Sequence, residues 1–368
     1  MGAARLNLLD EINLMVQRKV TESELRDAYA RHNGSTSKIA AEFDVHRRTV
    51  ANRLRALGFP ALQRGESILT KTEQPTEFRI ADLPDDDIPV DDLVEHRIKQ
   101  FAKKRESHDA TKSIAVTVSL PGPIAILHFG DPHVDDDGTD LELLRKHSDL
   151  TKLPGVWGAN VGDTTNNWVG RLAKLYAEQS TSASQAWKLA EWFISRTRWL
   201  YMLGGNHDAW SGAGDPIRFI ARQSKALYQP SAARLELRFP NQRRVIVNAR
   251  HDFAGHSMYN PAHSQMRSLQ FGARDHLAVS GHRHVSGYGV IKDAETGRVC
   301  HALQVASYKV FDRYAMEKGF RDQRLGPAAM TVIDPRLPET HPDMIKIWWD
   351  PQEGADYLAM IRSSRPVD

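Results

Sequence analysis

Residues 199–208 read Trp199-Leu200-Tyr201-Met202-Leu203-Gly204-Gly205-Asn206-His207-Asp208, five apolar residues followed by two glycines, an amide, an imidazole and a carboxylate. The apolar run has the length and composition of a buried strand, and glycine permits a sharp turn at its end. Three polar side chains with lone pairs are thus delivered together at a strand terminus. A preset tetrapeptide such as Gly205-Asn206-His207-Asp208 has odds on the order of one in several hundred of arising in such a chain, so this stretch is the most specific signal present.

Working outward, four further segments repeat the arrangement. Asp131-Pro132-His133 follows Ile124–Phe129 and Gly130, Gly162-Asp163 follows residues 156–161, His251 follows Arg244–Arg250, and Gly281-His282-Arg283-His284 follows Leu277–Ser280. Each is weak alone. An Asp-x-His triplet should occur roughly once by chance in a chain of this composition, and the second copy, Asp44-Val45-His46, reads better as a turn and helix start. In this order, each after an apolar run, the segments make coincidence a poor explanation. They supply carboxylate or amide oxygens from Asp131, Asp163 and Asn206 and imidazoles from His133, His251, His282 and His284. Oxygen and nitrogen donors without sulfur suit manganese, iron or zinc, and a bridging carboxylate can hold two ions ~3.5–4 Å apart to clamp a phosphate under attack.

The ordered set resembles the calcineurin-like metallophosphoesterase superfamily over roughly residues 114–333. The resemblance implies an α/β fold built as a two-layer β-sandwich flanked by helices, four layers in all, with a dinuclear site at the strand ends. It assigns Asp131, His133 and His284 to one ion, Asn206, His251 and His282 to the other, and Asp163 as the bridge. His207 is assigned to the substrate: oriented by Asp208 and protonated, it would stabilise or protonate the departing alkoxide while metal-held hydroxide attacks phosphorus in line. His256, five residues beyond His251, is the alternative ligand at the second ion. The arginines that phosphoprotein phosphatases of the superfamily place beside their metals have no secure counterpart, which disfavours that activity. Asp135-Asp136-Asp137-Gly138 reads as a solvated acidic turn. Asn166, Asn167, Trp168 and Arg171 are candidate cleft residues for phosphate and base, and the stretch 166–171 resembles phosphoesterases of phages and prophages.

At 368 residues the chain exceeds the size of one hydrophobic core, so two units are expected. Hydrophobic residues at 41% and charged ones at 26% suit a globular protein. Residues 1–10 carry no basic patch followed by an apolar stretch, and no apolar run approaches the ~20 residues that span a bilayer, so a cytoplasmic location without a membrane partner is expected, in the host if the chain is phage-encoded. Cys300 is the sole cysteine, which excludes an internal disulfide and a thiolate zinc cluster.

The chain divides on paper into a helical domain at 1–60, an acidic linker at 61–112 and a catalytic domain at 113–368. Cap signals place helices at 22–32, 36–43 and 46–57, ending at Gly58, with a further amphipathic helix at 6–18. A charged helix is expected at 90–106. Beyond it, strands at 114–118, 124–129, 155–161, 199–203, 245–249 and 277–280 alternate with helices at 141–150, 182–196 and 216–224.

Residues 36–57 resemble the helix-turn-helix family. The second helix would enter the DNA major groove, with Arg47, Arg48, Asn52 and Arg55 outward and Thr49 against phosphate. Between Arg31 and Arg64, seven basic residues stand against only Glu42 and Asp44, the kind of local excess that attracts a phosphate backbone. The expected function is a manganese-dependent DNA nuclease delivered to DNA by its N-terminal domain, with a homodimer suiting paired half-sites. The alternatives are a hydrolase of small nucleotides or terminal phosphates, and a DNA-binding regulator with a non-catalytic metal site.

Overall fold

The protein is described by a computed structural model covering residues 20–59, 87–167, 176–177, 179–210, 214–224, 226–319 and 322–364. The expected helix at 6–18 lies outside these residues. Two compact units emerge, Met1–Gln100 and Phe101–Asp368, with the division inside the stretch read from sequence as linker.

In the first unit, helices α1 (Glu22–Arg31), α2 (Thr36–Glu42) and α3 (Arg47–Ala56) follow the cap signals closely. Thr21 and Glu24 form a capping box that satisfies free N–H groups at the start of α1. Asp44 takes a positive φ of 48° in the turn before α3, and the His46 side chain accepts from the Arg48 N–H. Val20, Leu25, Ala28, Ile39, Ala40, Val50 and Leu54 form the core of this unit. Helix α4 (Val90–Thr111), which contains the division at Gln100, is five residues longer than expected from the sequence and buries none of its side chains.

The second unit contains two six-stranded sheets. One is ordered β12-β11-β2-β3-β4-β5 and the other β1-β6-β7-β8-β10-β9. Strands β2 (Ile124–Phe129), β3 (Val156–Asn160), β4 (Trp199–Leu203) and β5 (Leu227–Gln229) run parallel, while β11 (Ala328–Ile333) pairs antiparallel with β2 and with β12 (Ile345–Trp348). In the other sheet β1 (Ile114–Thr117) pairs parallel with β6 (Ala232–Arg238), β7 (Arg244–Arg250) with β8 (Leu277–Ser280), and β8 with β10 (Val299–Gln304). Antiparallel pairs β6–β7 and β9–β10, with β9 at Gly287–Lys292, complete it.

Period-two alternation explains the layering. Along β2, Ile124 and Ile126 join a core that also holds Leu235, Val247 and Val279 of the opposite sheet, so this core lies between the sheets. Ala125, Leu127 and Phe129 face the other way, against α5 (Leu141–Leu150), α6 (Ala183–Arg196), α7 (Pro216–Ala221) and α9 (Pro351–Ser364) through Leu144, Phe193, Ile217 and Leu358. On the far side, Ala278 and Ala302 pack with Leu269 of α8 (His263–Phe271). The arrangement is helix, sheet, sheet, helix. Among the described residues, no helix is long and apolar enough to cross a membrane.

The same alternation points His128 inward, where it is fully buried between the Thr331 hydroxyl at 3.0 Å and the Tyr201 hydroxyl at 3.3 Å. Burial pushes its pKa down to about 3. The unfolded chain, with an ordinary histidine, binds the extra proton below its own pKa of about 6.5, so stability falls as pH drops from there toward 3. Between pH 6.5 and pH 5 this group alone is expected to remove about 2 kcal/mol. Urea unfolding at both pH values should show a smaller acid loss for His128→Gln than for the parent; equal losses would contradict the assignment.

Candidate metal centre

The five sequence segments converge at the carboxyl ends of β2, β3, β4, β7 and β8. Asp131, His133 and His284 bring ligand atoms within 4.8 Å of one another, and so do Asp163, His251 and His282. In the first group His133 Nε2 faces His284 Nε2 at 3.2 Å, and His284 Nε2 lies 3.3 Å from Asp131 Oδ2. In the second, His251 Nε2 stands 3.2 Å from Asp163 Oδ2, 3.1 Å from His282 Nδ1 and 2.9 Å from Asn206 Oδ1. Donor atoms bound ~2.1 Å from a common ion are separated by roughly 3.0–3.4 Å in octahedral or tetrahedral geometry, so these spacings fit the edges of two coordination shells. Asp131 Oδ1 is buried without a hydrogen-bond partner, as expected of an oxygen that needs a cation. The residues present therefore fit two divalent ions.

Local backbone makes the convergence. Asp131, His133, Asp163, His282 and His284 all have positive φ, between 20° and 69°, a region that costs non-glycine residues energy and persists only where surroundings enforce it. Gly162 turns the chain at φ 119°, and a Cβ there would collide with the His251 ring. Any Cβ on Gly205 would collide with the Asp163 carboxylate and backbone nitrogen. Backbone N–H groups then fix the acids: His282 N–H donates to Asp131 Oδ2 at 2.6 Å, and His207 N–H to Asp163 Oδ1 at 2.9 Å.

The electrostatics point the same way. Burial opposes charge on His251, but the Asp163 carboxylate beside it prevails and pushes its pKa up to about 10. Asp163 itself, against the cost of burial, is held well below the usual carboxylate range by His251 and His207. His284 is likewise raised to about 9, with hydrogen bonds to Asp131 and Asp312 outweighing burial. His133 is driven well below its ordinary value by burial and by the charge of His284. Protons on two histidines thus balance the buried acids, and cations would displace them.

His207 lies 3.9 Å through Nε2 from Asp163 Oδ2, beside the ligand groups. Its ring is oriented differently from the sequence expectation. Nδ1 hydrogen-bonds to the Asn166 carbonyl oxygen, whereas Asp208 accepts from the N–H groups of Gly205 at 2.8 Å and Thr165 at 3.2 Å. Asp208 is raised to about 8 by burial and the neighbouring Asp163 charge, and its place in the site is to shape the loop.

His256 is paired with Arg283 and Asp252 at the exposed side, whereas His251 stands with Asp163 and His282, the grouping expected from the sequence. Two further expectations change. Asp135 and Asp136 are buried rather than solvated: Asp135 accepts from the Asn166 N–H at 2.8 Å, and Asp136 pairs with Lys309 at 2.9 Å. Asn166 and Asn167 spend their side-chain amides on Asp135 and Asp136 and on the Ala209 carbonyl, so they face protein rather than a cleft. Trp168 and Arg171 lie outside the described residues. Two partners were not anticipated, Asp312 at 3.5 Å from His284 Nδ1 and Lys309 beside it. Their only sequence signal is an acid–base pair three residues apart after β10, which is common.

A cavity of about 1050 Å³, lined in part by His147, Trp348 and Trp349, contains none of these ligands. Among solved structures, the chain is similar to a conserved uncharacterized protein of Streptococcus pneumoniae described as a predicted phosphoesterase, at 13% identity over 61% of this chain and 97% of that one, TM-score 0.27. It is similar also to a Haemophilus influenzae NAD nucleotidase, at 11% identity over 61% and 49%, TM-score 0.32, and to a Bacillus subtilis calcineurin-like phosphoesterase, at 11% over 65% and 100%, TM-score 0.29. Likenesses this distant carry no functional argument, which rests on the ligand geometry. No family model and no curated protein matches the chain.

Because His251 and His284 hold protons until about pH 10 and 9, ion binding below those values must release them. Apparent manganese affinity is therefore expected to rise from pH 6 to pH 8, about tenfold per pH unit for each proton displaced. Calorimetry in two buffers of different ionisation enthalpy counts the protons; pH-independent binding without release would contradict the ligand assignment.

Proposed function

We propose that the chain is a metal-dependent phosphodiester hydrolase acting on DNA, with residues 113–368 catalytic and residues 1–60 serving as a helix-turn-helix DNA-binding domain. The observation that carries the catalytic reading is the convergence of Asp131, His133 and His284 beside Asp163, His251 and His282. Two divalent ions, manganese being the best suited, would activate water and neutralise charge on the phosphate oxygens. Asp131, His133 and His284 would hold one, Asn206, His251 and His282 the other, and Asp163 both.

His207 then acts on the leaving group. With Nδ1 committed to the Asn166 carbonyl, the proton available for transfer is on Nε2, the nitrogen nearer Asp163. From that position Nε2–H can donate to the departing oxygen.

For DNA as substrate, the support is the surface of α3. Arg47, Arg48, Asn52 and Arg55 are exposed and Thr49 half-buried, while Val50 and Leu54 anchor the opposite face. Glu42, one of the two acids in the basic stretch, is paired with Arg31 and His32 rather than with the outward arginines, of which Arg47 donates Nε–H to the Thr36 hydroxyl at 3.3 Å. Arg64 lies outside the described residues.

A manganese-supplemented assay on labelled duplex, nicked and single-stranded DNA, alongside cyclic nucleotides and p-nitrophenyl phosphate, tests this directly. DNA cleavage is expected, abolished in Asp163→Ala and lowered roughly 10²–10⁴-fold in kcat by His207→Ala. Intact DNA with rapid turnover of the small esters would move the substrate to nucleotides. Separately, replacing Arg47 and Arg48 together by alanine should weaken DNA binding and reduce the slope of log affinity against log salt by about 2; an unchanged slope would remove the DNA-binding role of α3.

A further inference from the structure

Lys309 is a buried ammonium, 8% exposed, held between two carboxylates that lead to different parts of the metal centre. On one side its Nζ is 3.4 Å from Asp312 Oδ1, and Asp312 Oδ2 is 3.5 Å from Nδ1 of His284. On the other its Nζ is 2.9 Å from Asp136 Oδ2, which accepts from the Asn166 side-chain amide at 3.3 Å. The Asn166 carbonyl in turn receives His207 Nδ1. Asp136 is joined in gripping Asn166 by Asp135, which accepts its backbone N–H. The chain of contacts from His284 through Asp312, Lys309, Asp136 and Asn166 to His207 is unbroken, and each link is a charged or hydrogen-bonded contact.

A lysine is removed from water here at substantial cost unless it is paired, and its position between the carboxylates gives it a structural task at both. A carboxylate on the second nitrogen of a ligating histidine fixes ring orientation and tautomer. A carbonyl on the second nitrogen of a proton-donating histidine does the same for the acid. Resting on the phosphodiesterase reading above, we infer that Lys309 is a positioning residue that ties both histidines to one charge, holding His284 for its ion through Asp312 and His207 for the leaving oxygen through Asp136 and Asn166. On this inference Lys309 acts through Asp312 and Asp136 rather than on substrate or ion. Its effect is geometric, and it serves the two histidines through separate arms.

Two readouts on the full chain separate the arms. The first is calorimetric titration with manganese chloride. The second is kcat on a thymidine diester with a p-nitrophenolate leaving group, which departs without a proton, compared with a dinucleotide whose alkoxide needs one. Lys309→Met is expected to bind one ion about 10–100-fold more weakly and to lose at least tenfold more kcat on the dinucleotide than on the p-nitrophenyl ester. Asp312→Asn should reproduce the metal defect alone, and Asp136→Asn the leaving-group defect alone. Wild-type manganese affinity and an unchanged leaving-group ratio in folded Lys309→Met would overturn the inference. If that variant does not fold, unchanged affinity in Asp312→Asn or an unchanged ratio in Asp136→Asn overturns the corresponding tie. A parent protein inert on both diesters would defeat the phosphodiesterase reading, while the manganese titration would still support or overturn the tie to His284.

Discussion

Asp131 and Asp163 are two carboxylates taken almost wholly out of water, and everything around them answers to the positive charge they require. A buried carboxylate without a partner is among the costliest features a fold can hold. Backbone N–H groups of His282 and His207 meet part of the need, and protons on His251 and His284 meet another part. The remaining Asp131 oxygen has no hydrogen-bond partner at all. Strained backbone at five ligand positions and a glycine that admits no Cβ beside Asp163 are consequences of bringing these groups together.

The sandwich makes that strain affordable in a structural sense: strand ends of both sheets are fixed by the core between them, so loops leaving β2, β3, β4, β7 and β8 start from rigid points. Groups about 3 Å apart on such rigid points suit ion binding, because little ordering would be needed. The layer outside the ligands is equally fixed. Val161 O receives His251 Nδ1 at 2.9 Å, so the residue two before Asp163 also orients a candidate ligand of the opposite sheet.

Much of the converging side-chain set was legible in the sequence because each member follows an apolar strand, a local pattern that survives without knowledge of the fold. Gly205-Asn206-His207-Asp208 marked its strand end most clearly, and Asp131, Asp163 and His282 were found by the same rule. Contacts from outside the pattern were not legible. Lys309 and Asp312 come from the segment after β10, and nothing near them distinguishes them from a surface pair. Asp135 and Asp136 read as a polar turn because composition does not reveal that Asn166 and Lys309 close over them. The orientation of His207 escaped for a related reason, since a backbone carbonyl has no sequence signature. Among structural elements, β12 is only four residues long and β9 carries two glycines, while α8 has Ala262 at its N-cap and no side-chain cap bond; short length and missing caps remove the signals by which such elements are read.

The central claim is that the converging side chains form one dinuclear centre bridged by Asp163. Anomalous diffraction at the manganese edge from crystals grown with manganese tests it most directly. Two peaks per chain ~3.5–4 Å apart, one beside His133 and His284 and the other beside His251 and His282, are the expected result, with both depleted in crystals of Asp163→Ala. A single peak, or none at these residues, would contradict the centre.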